Sequence, residues 1–373
     1  MSERCSIHLV AGTRPNVMKV APLFKALKKQ QWAEPSIVFL GQHYSENMCH
    51  DLFSEFDIHE IRHFRPLKSR SFGERMGEII SSYTEILTED PPHIVVVPGD
   101  VDVTVGAAMA AKRRKHHVVH LEAGLRSHDG NMPEEQNRKL VDSISDYLLA
   151  PSEDAYQNLI FHEGHDHLRV ALVGNIMIDA LKQTLDRERA QRLLAKFDLR
   201  ERGFAAVTLH RPSNVDTEQA LAKCCLMLTE IAQRLPILFP VHPRTRAMLE
   251  RTGLIERLES NPAIRLCAPL SYSDFVNLVS ASRLIVTDSG GIQEEAVVMK
   301  VPCLTLREST ERPVTVVVGG NTLVSEEDVI AQVDWELASE SRPIASVPLW
   351  DGRTAERCAH IMRVQWLKMN GAQ

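Results

Sequence analysis

The chain has 373 residues, with 43 Lys and Arg against 49 Asp and Glu, for a formal charge of −6. A composition of 44% hydrophobic, 25% charged and 5% aromatic residues is that of an ordinary globular protein long enough for two cores, which excludes disordered and fibrous classes. The acidic balance argues against a nucleic-acid partner, which needs a net basic face, and no run approaches the roughly 18 apolar residues of a membrane span.

The first ten residues enter a short apolar strand without the basic and apolar regions of a signal peptide, so a cytoplasmic protein is expected. Seven scattered cysteines without C-x-x-C spacing read as reduced packing residues. Short β-branched runs at 7–10, 37–40, 94–97, 118–121, 147–149 and 169–173 read as buried parallel strands. Helical spacing follows several of them, at 17–30, 103–115 and 134–144. This is a doubly wound α/β half.

A long helical stretch from Asn175 to about Arg200 follows, and the strand pattern restarts at 205–209, 237–241, 263–267, 284–287 and 303–306. A second α/β half is therefore expected, with the division near Asn175 and a terminal helix at about 353–369. In open α/β sheets ligands sit beyond the carboxyl ends of the strands, and a cleft between two such halves is the default site.

No glycine pair has G-x-G spacing and no P-loop is present, which argues against NAD and P-loop chemistry. The stretch 161–167, FHEGHDH, is one residue short of H-E-x-x-H, so it reads as a solvated loop or helix end and not as a zinc site. The basic run 112–117 reads as an exposed helix end.

The strand ends carry the chemistry. After the first strand, Gly12-Thr13-Arg14-Pro15-Asn16 opens a helix bearing Lys19; free N–H groups beside a guanidinium suit a phosphate. Asp100, Glu122 and Glu134 follow successive strands, and carboxylates converging on one cleft supply acid and base. Each alone reads equally as a cap. In the second half, His210-Arg211 and His242-Pro243-Arg244 follow strands and read as anion and proton-handling groups. Thr287-Asp288-Ser289-Gly290-Gly291 opens another helix, where small residues let the backbone approach a diphosphate and Glu295 is placed to accept ribose hydroxyls. Arg312 follows a further strand. The residues alone lead to a two-domain α/β enzyme acting on a nucleoside-diphosphate ligand.

The segments GTRPNVMKVAPL, GQHYSENM, VPGD, HLEAGLRS, MPEEQNR, VGNIMIDAL, VTLHRPSNVD, PVHPRTR and TDSGGIQEE followed by TERP occur in order over about residues 8–325. Through them the chain resembles the non-hydrolysing UDP-N-acetylglucosamine 2-epimerases. The resemblance implies a GT-B fold, two Rossmann-like doubly wound domains facing a central cleft, at 1–174 and 175–352, with the helix at about 353–373 packing back on the first. It implies interconversion of the gluco and manno forms of a UDP-linked 2-acetamido sugar, by anti elimination of UDP to a 2-acetamidoglucal and re-addition. No redox cofactor and no metal is implied, and a cytoplasmic homodimer acting in polysaccharide biosynthesis is.

By the same resemblance, Ser289, Gly290 and Gly291 hold the diphosphate with Arg14 and His210, and Glu295 holds the ribose. Phe275 and Leu270 border the uracil, with Arg312 on the nucleotide side. Lys19, Asp100, Glu122, Glu134 and Arg126 face the sugar, Asp100 and Glu134 as the proton-handling pair and Glu122 as the stabiliser of positive charge at carbon 1. Arg211 and His242 line the substrate, and Gln42 and His43 resemble part of a regulatory UDP-sugar site.

Asn16 stands where the family often has Glu, Pro98 where it has His, residues 101–104 where a threonine run is common, and Leu209 where Gly often precedes His-Arg. These departures leave the sugar substituents open. The alternatives are a hydrolysing 2-epimerase releasing UDP and N-acetylmannosamine, and a 2-epimerase of a UDP-2,3-diacetamido sugar or its uronate. A nucleotide-sugar-binding regulator or a GT-B glycosyltransferase is the alternative of another class, against which the four retained groups Asp100, Glu122, Glu134 and His210 argue.

Overall fold

The structure, a computed structural model, describes residues 4–41, 53–69, 71–338 and 343–371. Gln42 and His43 lie outside them. The chain divides into two compact units, one of Met1–Lys182 with Pro348–Gln373 and one of Gln183–Val347.

The first unit is built on a parallel sheet of β1 (Cys5–Ala11), β2 (Ala33–Phe39), β3 (His63–Phe64), β4 (Ile94–Pro98), β5 (His117–Leu121), β6 (Tyr147–Ala150) and β7 (Val170–Leu172). Their order is β3-β2-β1-β4-β5-β6-β7, so the winding direction reverses between β1 and β4. The strands lack polar alternation because helices cover both faces: β4, IVVVP, is buried at every position. The second unit repeats the scheme with β8 (Ala205–Thr208), β9 (Ile237–Pro240), β10 (Ile264–Cys267), β11 (Leu284–Thr287), β12 (Cys303–Leu306) and β13 (Asn321–Val324). Its order, β10-β9-β8-β11-β12-β13, reverses between β8 and β11. These are the two doubly wound Rossmann-like sheets expected from the strand pattern. The core of the second unit lies on both sheet faces, Val207, Phe239, Val286 and Leu304 packing on one and Phe204, Leu238, Ile285 and Cys303 on the other.

The long helical stretch after Asn175 is two helices, Ile176–Thr184 and Arg187–Lys196. The Asp186 carboxylate accepts from Glu188 N and Arg189 N, which stops one helix and starts the next. The division between units falls inside the first of these helices and not at Asn175. Asp179 accepts from Thr354 N at 3.1 Å and Ala355 N at 2.7 Å, tying this helix to the C-terminal helix Thr354–Met369 in the first unit. Trp350 Nε1 donates to Pro151 O at 2.9 Å, which places residues 348–352 there as well. Among the described residues, no helix is long and apolar enough to cross a membrane.

Candidate active site

In the first unit the candidate groups sit after β1, β4 and β5, where the winding reverses. Pro15 at the start of the helix Arg14–Lys28 fits its fixed φ to the first turn, and no acidic side chain occupies that turn, so its N–H groups face outward uncompensated. Asn16, buried, accepts from Gly12 N at 3.2 Å and donates to Pro98 O at 3.2 Å, locking the β1 turn to the end of β4. One helical turn on, Lys19 Nζ donates to Glu122 Oε2; both side chains are buried. Gly99 between them has φ +67°, and a Cβ there would lie 2.6 Å from Lys19 Nζ. The positive φ is what favours glycine there. Glu122 itself has φ +75°, sparsely populated for a side-chain-bearing residue and of the sort held at functional sites.

Asp100 is partly exposed, and Arg138 Nη1 donates to its Oδ2 at 2.7 Å. Glu134, in the first turn of the helix Pro133–Ile144, is half-buried and makes no hydrogen bond or ion pair among the described residues. Lys19, Glu122 and Gly99 thus form one cluster adjoining Asp100. Arg126 is placed differently: its side chain is 2% exposed, and its guanidinium donates to Asp142, Glu163 and the Leu125 carbonyl. That guanidinium is committed to the framework. Arg14 is partly exposed, with Nη2 3.5 Å from Glu55 Oε2.

A buried network that the sequence did not reveal stands behind these groups. His120 lies between Asp142, 2.6 Å from Nδ1, and the Gly99 carbonyl, 2.9 Å from Nε2. Burial alone pushes the Asp142 carboxyl up, but His120 and Arg126 outweigh it and hold the pKa below the usual carboxylate range. Glu135 accepts from Ser127 N at 2.8 Å and from Arg138 Nη2 at 3.1 Å. Glu135, Arg138 and Asp142 share one face of the helix Pro133–Ile144, a buried polar stripe at spacings of three and four that the sequence does contain. Glu163, in the stretch set aside as a zinc motif, is the partner of Arg126.

In the second unit the hub is Asp288, fully buried after β11. Its carboxylate accepts from His210 N, Arg211 N and Asn214 Nδ2 at 2.9 to 3.1 Å and lies 3.2 Å from His210 Nδ1. Arg211 Nε donates back to the Asp288 carbonyl at 2.9 Å. The ends of β8 and β11 are thereby knitted together, and His210, 41% exposed, makes no hydrogen bond through Nε2 among the described residues. The His242 ring lies 5.8 Å from that of His210, with its pKa lowered by burial and by the His210 and Arg244 charges.

Ser289 precedes the helix Gly290–Met299, and neither its side chain nor an acidic residue caps the first turn, which leaves an N-terminus suited to an anion. A Cβ on Gly290 would lie 2.5 Å from Glu311 Oε1, whereas one on Gly291 meets nothing within 4 Å. Arg312 pairs with Glu294 at 3.1 Å and with Glu311 at 2.5 Å, behind Gly290. Burial pushes Glu311 up, but Arg312 and Arg307 outweigh it and hold its pKa at about 2. Glu295 accepts from Tyr272 Oη at 2.9 Å, and burial drives its pKa up to about 7. Tyr272 begins the helix that carries Phe275, so the Glu295 and Phe275 positions are coupled; Leu270 and Phe275 pack half-buried on the core. Within this unit His210, Arg211, His242, Ser289, Gly290 and Gly291 gather at the β8 and β11 ends, with Arg312, Glu295, Phe275 and Leu270 along the flank.

Known proteins share the sequence pattern and the fold. Residues 25–363 match the UDP-N-acetylglucosamine 2-epimerase family. The chain is 38% identical over 363 residues to the UDP-N-acetylglucosamine 2-epimerase of Methanocaldococcus jannaschii, covering 95% of this chain and 98% of that one. It is 35% identical over 318 residues to the UDP-2,3-diacetamido-2,3-dideoxy-D-glucuronate 2-epimerase of Pseudomonas aeruginosa, covering 84% and 87%. The crystal structure of the M. jannaschii enzyme with UDP-GlcNAc and UDP matches with a TM-score of 0.85 at 37% identity, over 96% of this chain and 99% of that one. The Neisseria meningitidis enzyme bound to UDP-GlcNAc matches with a TM-score of 0.83 at 30% identity, over 97% and 100%. The chain belongs to the UDP-N-acetylglucosamine 2-epimerase family.

Proposed function

We propose that the protein interconverts UDP-N-acetylglucosamine and UDP-N-acetylmannosamine by eliminating UDP to a 2-acetamidoglucal and adding it back. The observation that carries this reading is the placement of carboxylates after β4 and β5, Asp100 held by Arg138 and Glu122 by Lys19, in a chain whose second unit offers a glycine-lined helix N-terminus without a side-chain cap. Breaking the bond between carbon 1 and the diphosphate leaves negative charge on UDP, and fixed N–H groups and cations stabilise that charge without reorganising. Ser289, Gly290 and Gly291 supply the N–H groups, while His210, with Nδ1 oriented by Asp288, presents Nε2 to the phosphate, and Arg14, Arg211 and His242 add further charge and hydrogen bonds. Glu295 accepts from the ribose, Phe275 and Leu270 flank the uracil, and Arg312 fixes the shape of the phosphate loop.

Proton removal and return at carbon 2 on opposite faces needs two groups. Asp100, oriented by Arg138, and Glu134, which has no competing partner among the described residues, are that pair. Glu122, neutralised in the resting state by Lys19, stabilises positive charge developing at carbon 1. Arg126 acts one layer back, holding Asp142 and through it the ring of His120 that anchors Gly99.

A second reading, a UDP-2,3-diacetamido sugar or its uronate as substrate, is favoured by the P. aeruginosa relative and by Asn16, a neutral residue at the β1 turn. Assaying both sugars side by side separates the two, and release of free N-acetylmannosamine would mark the hydrolysing alternative. Six described cysteines are free thiols, which fits the reducing cytoplasm; a homodimer is part of the same proposal and is read by light scattering. The mechanism is tested by Asp100→Asn: turnover should fall at least about a thousandfold while UDP affinity stays within about tenfold. Turnover near the parent level would remove Asp100 from the pair.

A further inference from the structure

We propose that His8, His63 and Asp90 form a binding site for a divalent transition-metal ion of the zinc class, separate from the epimerase chemistry. Asp90 precedes β4, whereas the candidate catalytic groups Gly99 and Asp100 follow it.

Three ligand atoms of the kind zinc prefers, His8 Nε2, His63 Nε2 and a carboxylate oxygen of Asp90, lie within 4.8 Å of one another. His8 Nε2 is 3.7 Å and His63 Nε2 2.9 Å from Asp90 Oδ2. Bonds of about 2.0 to 2.1 Å in a tetrahedral site separate neighbouring ligand atoms by about 3.3 Å, so shifts of under about an ångström close the site, with the fourth position left for water.

His8 supplies the independent observation. Its ring is 0% exposed, and Nε2 has no hydrogen-bond partner among the described residues. Nδ1 lies 3.3 Å from the Tyr83 hydroxyl, the outer partner that orients a metal-binding imidazole by taking its N–H. In the tautomer that carries its proton on Nδ1, the one a metal bound at Nε2 requires, the Nε2 lone pair faces the Asp90 carboxylate across 3.7 Å, and a cation between them satisfies both. A purely hydrogen-bonded cluster accounts for His63 and for Arg62, whose Nε lies 3.1 Å from the same Asp90 oxygen, but leaves His8 Nε2 unmatched. Arg62 is 56% exposed and free to swing into solvent when the ion enters. A cavity of about 120 Å³, lined by Lys28, Glu34, Glu60, Arg62 and Asp90 among others, borders the Asp90 side of the cluster.

The full-length protein, stripped with chelator, is titrated with Co²⁺ and then Zn²⁺. Expected are one equivalent bound, visible bands of four-coordinate Co²⁺ displaced by Zn²⁺, and at least about a tenfold loss of affinity in His63→Gln and Asp90→Asn. His167→Ala, at an exposed histidine of the set-aside motif, should bind as the parent does. Zn²⁺ added to the parent protein should move the ring-nitrogen NMR signals of His8 and His63, a readout independent of whether any variant folds. Absence of saturable binding, equal affinity in the His63 and Asp90 variants, or signals moving only among other histidines would overturn the proposal.

Discussion

Glu295 and Asp288 are both buried carboxylates of the second unit, and their surroundings give them different work. Glu295 is surrounded by apolar groups, one tyrosine hydroxyl and the Glu294 charge, and burial drives its pKa from 4.5 to about 7. A carboxyl whose folded pKa lies above its unfolded value contributes stability below the unfolded value and loses it as pH rises through the folded one. The protein should therefore lose about 3 kcal/mol from this group between about pH 5 and about pH 8, and Glu295→Gln should lose that slope. Melting temperatures at the two pH values check it; parallel losses in parent and variant would show that Glu295 titrates normally. Asp288 instead accepts from two backbone N–H groups and Asn214 while contacting His210, so it serves as a fixed acceptor. At this scale the sequence was legible where a residue stood directly after a strand. It was silent on Arg138, His120 and Asp142, because their meaning lies in partners 38, 21 and 16 residues away.

Two helix starts carry the anion-binding part of the account, Arg14–Lys28 and Gly290–Met299, and each begins without a side-chain cap. For the second, the glycine pair permits a discriminating test. Gly290 is confined by Glu311 and Arg312, but a Cβ on Gly291 meets nothing within 4 Å. Gly291→Ala should therefore leave stability unchanged or raise it by up to about 1 kcal/mol, since Ala favours the helix, while weakening UDP binding at least about tenfold if a diphosphate lies against that backbone. Unchanged affinity by calorimetry would take Gly291 out of the site. Strands were readable from their uninterrupted apolar runs, and the helices from their apolar spacing. The two-residue β3 was not, being too short for any periodic signal, nor was β13, whose four residues NTLV begin with two polar ones, and the break at Asp186 was hidden because helical spacing runs on either side of a cap.

On the scale of the molecule, the C-terminal segment belongs with the N-terminal sheet. The helix Thr354–Met369 packs against Arg14–Lys28, the helix that carries Lys19, and Trp366 stacks edge-on with His93 at 4.6 Å. Trp366→Ala should cost about 3 kcal/mol by cavity formation, measured by urea unfolding, and lower turnover through the Lys19 helix; a loss below about 1 kcal/mol would show that the terminal helix contributes little. That return of the chain was invisible to local pattern, since it rests on contacts such as Asp179 with Ala355 across the whole second unit. The family, by contrast, was legible from ordered segments spread along nearly the full length, and what stayed open was the sugar. The most direct measurement is proton NMR of the protein with UDP-N-acetylglucosamine in deuterated water. UDP-N-acetylmannosamine carrying deuterium at carbon 2 is the predicted result, and epimerised product that retains its original proton there would contradict the elimination and re-addition mechanism.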